Sequence, residues 1–202
     1  NMALEAKANL EDAYYLIGNY QEKQFQFIAQ REDIIDKYED KLGSYLIKLT
    51  GKELSEQQNK DVTKFLHAIG DVERIGDHAA DIAEIVPHLA GVRKAGDPAV
   101  SRSIEMGRKA HKMLQDAMSA FAAEDEAAAK AVIDADDAVD YDFNTIKRML
   151  AAEIAADPGK VDAALDVLMV IKYLERIGDH AVNIAEWVEF LRTGRYHHEK
   201  MF

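Results

Sequence analysis

The sequence predicts an all-α protein in which six helices form two tandem three-helix bundles. Residues that interrupt helices are scarce, with three prolines and eleven glycines among 202 residues. Apolar residues recur at helical spacing, and alanine, glutamate, lysine and leucine, which are good helix formers, are abundant. One segment of fourteen residues occurs twice, which indicates a duplicated unit.

The repeated segment reads ERIGDHAADIAEIV at residues 73–86 and ERIGDHAVNIAEWV at residues 175–188, with 11 of 14 positions identical at an offset of 102. Each copy follows an acidic segment about forty residues upstream, which begins at Glu32 in the first copy and at Asp136 in the second. The chain therefore divides into a first repeat, a linker and a second repeat, over residues 1–90, 91–97 and 98–202.

Turn and capping signals place the helix ends. Thr50-Gly51 stops a helix, and Ser55 with Gln58 three residues later resembles a capping box. Asp157-Pro158-Gly159 is a turn before the last helix. The predicted helices cover residues 3–21, 23–50, 55–90, 98–122, 124–156 and 159–193.

Each long helix carries an apolar stripe that should face the core. In the third and sixth helices the stripes include Gly76 and Gly178, although glycine costs about 1 kcal/mol relative to alanine in a helix interior. We therefore expect a neighbouring helix to approach closely at both glycines. In the second helix the predicted stripe is Ile28, Ile35, Tyr38, Leu42, Tyr45 and Leu49, and in the third it begins at Phe65.

The composition argues against several classes of function. The net charge is −12, and the basic residues are scattered among acids, so a nucleic-acid partner is not expected. No run approaches the ~18 apolar residues of a membrane span, and no signal peptide opens the chain. With no cysteine there are no disulfides or thiolate metal sites. We expect a cytoplasmic protein, associated with membranes only through its partners.

Four pairs of carboxylates, each spaced four residues apart, stand in matching places of the two repeats. Side chains four apart share one face of a helix, where like charges repel unless something offsets them. A hard cation with oxygen ligands would do so. The candidate metal ligands are Glu32, Asp36, Glu73, Asp77, Asp136, Asp140, Glu175 and Asp179.

Other polar residues of the repeated motif receive weaker interpretations. Arg74 and Arg176 are candidates for ion pairs or for contact with a partner, and Asp81 extends the acidic face. For His78 and His180, a capping or exposed role is favoured over metal ligation. His197 and His198 are interpreted as part of a C-terminal tail.

At these motifs the sequence resembles the PhoU family, whose helices carry E-x-x-x-D or D-x-x-x-D motifs twice. The second repeat, through YLERIGDHAVNIAEWVEFLRTG, resembles stand-alone PhoU proteins. The first, through YEDKLGSYLIKL and LHAIGDVERIGDHAADI, is more similar to the PhoU-like domain that follows the membrane part of sodium/phosphate cotransporters. The fold that the resemblance implies is two tandem PhoU-like three-helix bundles.

The resemblance also implies a function. Stand-alone family members are negative regulators of phosphate uptake and signalling, and are thought to bridge a phosphate ABC transporter and a sensor histidine kinase. The family binds metal at the acidic motifs, so the eight carboxylates would be ligands for iron, manganese, magnesium or zinc. No family member is an established catalyst, and we expect none here.

Alternatives remain at this stage. The chain could instead be the PhoU-like domain of a sodium/phosphate cotransporter, or a helical scaffold whose acids only keep its surface polar. A di-iron oxidase would need Glu-x-x-His motifs, which the sequence lacks. Monomer and homodimer are both compatible with the sequence.

Overall fold

A computed structural model describes residues 1–94, 96–193, 195–196 and 199–200, with side chains described as far as Phe190. Over these residues the fold is helical, as predicted. The α-helices are α1 (Met2–Leu16), α2 (Glu22–Thr50), α3 (Glu56–Leu89), α4 (Pro98–Ala123), α5 (Glu126–Ala156) and α6 (Val161–Thr193). A 3₁₀ turn, Pro158–Lys160, precedes α6, and two antiparallel two-residue strands, Arg195–Tyr196 and Glu199–Lys200, follow it.

The helix ends follow the local sequence signals with one exception. Ser55 Oγ accepts a hydrogen bond from the Gln58 backbone, and the Gln58 side chain accepts one from the Ser55 backbone, which confirms the capping box. The Asp97 side chain caps α4 by accepting hydrogen bonds from the backbone N–H groups of Ala99 and Val100. The prediction that the first helix runs to residue 21 is wrong, since α1 ends at Leu16 and a turn containing Gly18 and Asn19 follows.

The two repeats lie side by side along α3 and α6. Ring contacts and hydrogen bonds join His67 to Trp187, Asp71 to Asn183, and His78 to His180. Because partner numbers fall on α6 as they rise on α3, the two helices are antiparallel. Residues 78 and 180 are equivalent positions of the two repeats, so a pseudo-twofold axis passes between them.

One buried cluster of apolar side chains includes residues from all six α-helices. Helix α6 contributes most to it and places Trp187 and Phe190 among the largest fully buried side chains. The repeats therefore share a core.

Part of the predicted apolar stripe of α2 is exposed. Ile28 and Ile35 are buried, whereas Leu42 is 38% exposed and Tyr45 is exposed. Phe65, the first residue of the predicted stripe of α3, is exposed as well. The reason is the length of α1, which at 15 residues can follow only about half of the 29-residue α2. Its polar contacts to α2 include Asn9 Nδ2 to Ile28 O at 3.1 Å and Arg31 to Asp12. Helix α1 is therefore too short to cover the last turns of α2.

The expected close approach at the two motif glycines is confirmed. A Cβ added at Gly76 would lie 2.9 Å from Ile35 Cδ1, and one added at Gly178 would lie 3.1 Å from Asp136 Oδ1. Absence of a side chain on α3 and α6 lets α2 and α5 pack against them at the level of the acidic motifs. None of the helices described here combines the length and apolar character needed to cross a bilayer.

Candidate metal centres

The first four predicted ligands come together between α2 and α3. We call Glu32, Asp36, Glu73 and Asp77 the α2–α3 carboxylate cluster. Ile35, seated against Gly76, sets the distance between the two helices, and the acids four residues apart on each helix face the gap. One carboxylate oxygen from each of Glu32, Asp36 and Asp77 lies within 4.8 Å of the other two. The predicted convergence of the pairs is therefore present in the first repeat.

Crowding in this cluster changes how its carboxyl groups ionise. The pKa of Glu32 is raised to about 7 by burial and by Asp36, and that of Glu73 is raised to about 7 by burial and by Asp77. Arg74 partly opposes the second effect, because its side chain lies 3.5 Å from Glu73 and 3.1 Å from Asp77. One exposed arginine does not neutralise four carboxylates.

The other four predicted ligands face one another between α5 and α6. Asp136, Asp140, Glu175 and Asp179 form the α5–α6 carboxylate cluster. Burial and the charges of Asp140 and Asp179 raise the pKa of Asp136 to about 6. The pKa of Asp179 is also raised, by burial and by Glu175. The Asp136 carboxylate rests over the backbone of α6 at Gly178, as described above.

The two clusters differ in compactness and in nearby positive charge. In the part of the chain that the structure describes, Glu32, Asp36 and Asp77 are the one set of three potential ligands with all ligand atoms within 4.8 Å. In the second repeat, Lys172 forms an ion pair with Glu175, and the charges of Lys172 and Arg176 partly oppose the rise in the pKa of Asp179. The second cluster is thus wider and better balanced by cations.

The remaining motif residues divide between the clusters and the junction of the repeats. Arg74 pairs with the first cluster, while Arg176 borders the second. Asp81 belongs to neither, because it contacts His78 instead (Nδ1 to Oδ2, 3.3 Å).

The capping or exposed role that the sequence favours for the two motif histidines is wrong. Both side chains are mostly buried where α3 crosses α6, with ring centroids 5.6 Å apart, and burial lowers the pKa of His78. His197 and His198 lie outside the described residues.

Some polar residues at the junction were not predicted from the sequence. Asp71 accepts hydrogen bonds from Asn183 Nδ2 (3.1 Å) and lies 2.9 Å from His180 Nδ1. Its equivalent in the second repeat is Tyr173, so comparison of the repeats gives no signal for it. Lys172 precedes Glu175 by three residues, a spacing that does place the two on one helix face.

Two clefts open beside the clusters on the α3–α6 junction. A cleft of about 530 Å³ is lined by Glu73 of the α2–α3 carboxylate cluster and by Arg74, Asp71 and Asn183. A second, of about 440 Å³, is lined by Asp136, Asp179 and Arg176, and again by Asn183. Solvent and small ions therefore reach both clusters from the junction.

The residues present fit a metal that prefers oxygen ligands. Carboxylates converge from two helices in each repeat, and burial together with repulsion from neighbouring carboxylates raises the pKa of Glu32 to about 7 and that of Asp136 to about 6. A divalent cation or iron bound by these oxygens would offset the repulsion and would hold α2 to α3 and α5 to α6.

Comparison with known proteins supports the resemblance noted in the sequence. The model of the PhoU domain matches residues 1–86 and 104–188. The phosphate-specific transport system accessory protein PhoU homolog of Clostridium acetobutylicum is 29% identical over 196 residues, which are 96% of this chain and 89% of that protein. A protein of the same description from Caulobacter vibrioides is 40% identical over 126 residues, 61% of this chain and 53% of that protein.

Solved structures agree with this assignment. The crystal structure of PhoU from Pseudomonas aeruginosa superposes with a TM-score of 0.91 at 26% identity, covering 96% of this chain and 93% of that one. The phosphate transport system regulatory protein PhoU from Streptococcus pneumoniae, at 20% identity and a TM-score of 0.86, covers 96% and 91% and has the same fold. With both halves matched by the domain model, this chain belongs to the PhoU family.

Proposed function

We propose that this chain is a metal-binding, non-catalytic regulator of phosphate uptake and phosphate signalling. It would act on the cytoplasmic side of the membrane by docking on a phosphate transporter, on its sensor kinase, or on both. The accessory role in phosphate transport comes from the descriptions of its relatives. The observation that supports metal binding is the convergence of Glu32, Asp36 and Asp77 within 4.8 Å.

The metal would act as a cross-link between helices. In the α2–α3 cluster, Glu32, Asp36 and Asp77 are the nearest set of ligands, with Glu73 beside them. When bound, the ion supplies positive charge that neutralises the cluster. The protein's part is to hold the carboxylates in place, through Ile35 against Gly76, and to admit the ion from the neighbouring cleft.

The metal proposal is tested by thermal unfolding of chelator-treated protein with and without magnesium, manganese, iron(II) or zinc. A ligand at one hundred times its dissociation constant stabilises the folded state by about 2.7 kcal/mol. For a chain of this size we expect a rise in Tm of roughly 5–10 °C with at least one metal. The double substitution Asp36→Asn and Asp77→Asn should abolish the part of the rise due to the first repeat.

Matched controls separate a site from a general effect of charge. Asp40→Asn, on an exposed part of α2, and Asp134→Asn, on α5 where it pairs with Lys130, remove one charge each outside the clusters. Both should keep the full metal-dependent rise. The clusters do not bind metal if no metal raises Tm, or if the control substitutions reduce the metal-dependent rise in Tm as much as the cluster substitutions do. Either result would support the scaffold alternative.

The docking proposal is tested in bacteria that lack their own PhoU and carry a reporter of phosphate starvation. Expression of this chain should restore repression of the reporter in phosphate-rich medium. Co-purification should then recover a component of the transporter or the kinase. A folded, well-expressed chain that neither represses nor co-purifies with either partner would contradict the docking proposal.

A further inference from the structure

A second kind of site lies at the junction of the repeats, apart from the carboxylate clusters. His78 on α3 and His180 on α6 occupy equivalent positions of the duplicated motif and meet across the pseudo-twofold axis. Their ring centroids are 5.6 Å apart and their planes are inclined by 34°. Neither ring is needed for the proposed carboxylate sites.

Each ring is held at one nitrogen by a carboxylate. His180 Nδ1 lies 2.9 Å from Asp71 Oδ1, and His78 Nδ1 lies 3.3 Å from Asp81 Oδ2. Asn183 donates to the same Asp71 oxygen and fixes its position. A histidine that binds a metal through one nitrogen usually donates its other N–H to a carboxylate in this way.

The two carboxylates hold one nitrogen of each ring and leave the other for a ligand. Asp71 and Asp81 are ten residues apart on α3, which corresponds to ~15 Å along the helix axis. Both rings lie between them, with His180 on the side of Asp71 and His78 on the side of Asp81. With Nδ1 of each ring held by a carboxylate, Nε2 is the nitrogen that remains on each ring to bind a metal.

The distance between the rings accommodates one ion. A metal–nitrogen bond of ~2.0–2.1 Å places a metal roughly 3 Å from the centre of the imidazole that binds it. Two rings that share one ion then have centres about 5–6 Å apart, and the observed separation is 5.6 Å. His180 also borders the cleft of about 440 Å³, so water can reach the ion and complete its coordination.

We propose that His78 and His180 bind one transition-metal ion of the zinc, copper or nickel class through their Nε2 atoms, with Asp71 and Asp81 orienting the rings. Imidazole ligands favour these metals, whereas magnesium and calcium favour oxygen. The ion would join α3 of the first repeat to α6 of the second. Such a site holds the two repeats to each other, while the carboxylate clusters hold helices within one repeat.

The experiment is a calorimetric titration with zinc in the presence of millimolar magnesium. It starts from the full chain with His197→Ala and His198→Ala, which removes the adjacent histidines near the C-terminus as a source of binding. Against this background, His78→Gln and His180→Gln should each lower the affinity for one equivalent of zinc by at least tenfold. The matched control is His88→Gln, on the same helix but exposed, which should leave all zinc binding unchanged.

The role of the orienting carboxylate is tested separately. Asp71→Asn keeps the size of the side chain and should lower zinc affinity about 10–100-fold, as loss of such a partner typically does. Asp61→Asn, near the start of the same helix, should leave it unchanged. Equal affinity in both variants would show that Asp71 does not position His180 for a metal.

Further measurements keep the proposal testable if a variant folds poorly. In the unsubstituted chain, nitrogen-15 NMR of the imidazoles should show zinc-dependent shifts at Nε2 of His78 and His180. Shifts at other histidines only, or unchanged zinc stoichiometry in the double variant, would overturn the proposal. The Asp36→Asn and Asp77→Asn variant should keep this zinc equivalent, so failure of the carboxylate sites is distinguishable from failure of the histidine site.

Discussion

Glu32 and Glu73 illustrate how position changes the chemistry of a common side chain. Each is half-buried and has an aspartate four residues later on the same helix face. Burial disfavours the charged form, and the neighbouring aspartate adds repulsion, so the pKa of each glutamate rises from its ordinary 4.5 to about 7. The four-residue spacing was enough to predict these carboxylate pairs, but the burial of the glutamates follows only from the packing of α2 against α3.

The raised pKa values predict how stability depends on pH in metal-free protein. The folded state holds these protons more tightly than the unfolded state, so their contribution is complete below pH 4.5 and is lost as pH rises to about 7. The double variant Glu32→Gln and Glu73→Gln should therefore match the unsubstituted chain near pH 4.5 and exceed it at pH 8. After allowance for screening at partly exposed sites, we expect a difference on the order of 1 kcal/mol.

Urea unfolding in a chelator at both pH values measures this difference. Glu53→Gln, in the exposed segment between α2 and α3, removes a carboxylate outside the clusters and provides a control in which no such crossover is expected. A Glu32→Gln and Glu73→Gln variant less stable than the unsubstituted chain at pH 8 would show that the carboxylates do not repel one another.

Gly76 gives a second prediction at the scale of single residues. Its added Cβ would meet Ile35 Cδ1 at 2.9 Å, so Gly76→Ala should force Ile35 to move and should lower the free energy of unfolding by about 1 kcal/mol. Gly70→Ala, on the same helix with no atom within 4 Å of the added Cβ, should instead stabilise by about 0.5–1 kcal/mol. Denaturant unfolding of the two variants, whose positions are six residues apart on α3, checks the sign of both effects. Equal effects would mean that the close approach at Gly76 is not a constraint.

At the scale of elements, the two repeats differ in their first helix. Helix α1 has 15 residues and α4 has 26. Helix α4 and the linker before it contact α5 along much of its length. Lys109 of α4 forms an ion pair with Asp142 (2.6 Å), and Arg93 of the linker forms one with Glu153 (2.7 Å). The corresponding turns of α2 lack this cover, and so apolar side chains there are exposed.

This difference predicts unequal costs for equivalent substitutions. Ile146 on α5 is fully buried, whereas Leu42, at the equivalent place relative to the acidic pair on α2, is 38% exposed. Ile146→Ala should cost about 2–5 kcal/mol through lost contacts and a cavity, and Leu42→Ala below about 1 kcal/mol. Chemical unfolding of the two variants provides the comparison, and equal costs would indicate that something covers Leu42 in solution.

The sequence was sufficient to predict the helices, but not to predict which of their faces neighbouring helices cover. Periodicity, the Ser55 capping box and the motif glycines predicted the six helices and the level at which neighbours approach. Periodicity could not reveal that Leu42 and Tyr45 are exposed. An apolar stripe shows which face of a helix is apolar, but not whether another helix packs on that face. The prediction for the two histidines was wrong for the same reason. His78 lies beside the apolar stripe of its own helix, and it is buried only because α3 packs on α6.

At the scale of the whole molecule, the shared core predicts cooperative unfolding. One buried apolar cluster includes side chains from all six α-helices, so neither repeat can unfold without exposing apolar surface of the other. Differential scanning calorimetry should show one transition with equal calorimetric and van't Hoff enthalpies. Two resolved transitions, each sensitive to substitutions in one repeat, would indicate that the repeats unfold independently.

The covalent connection between the repeats also bears on how such a protein can evolve. In a symmetric dimer of single repeats, every change beside the axis would appear twice and would meet its own copy. Here one gene encodes both sides, and residues 71 and 81 are aspartates where their counterparts are Tyr173 and Asn183. Fusion has allowed the two sides of one junction to diverge. Asp71 contacts the ring of His180, which belongs to the other repeat, whereas Asp81 contacts the ring of His78 on its own helix.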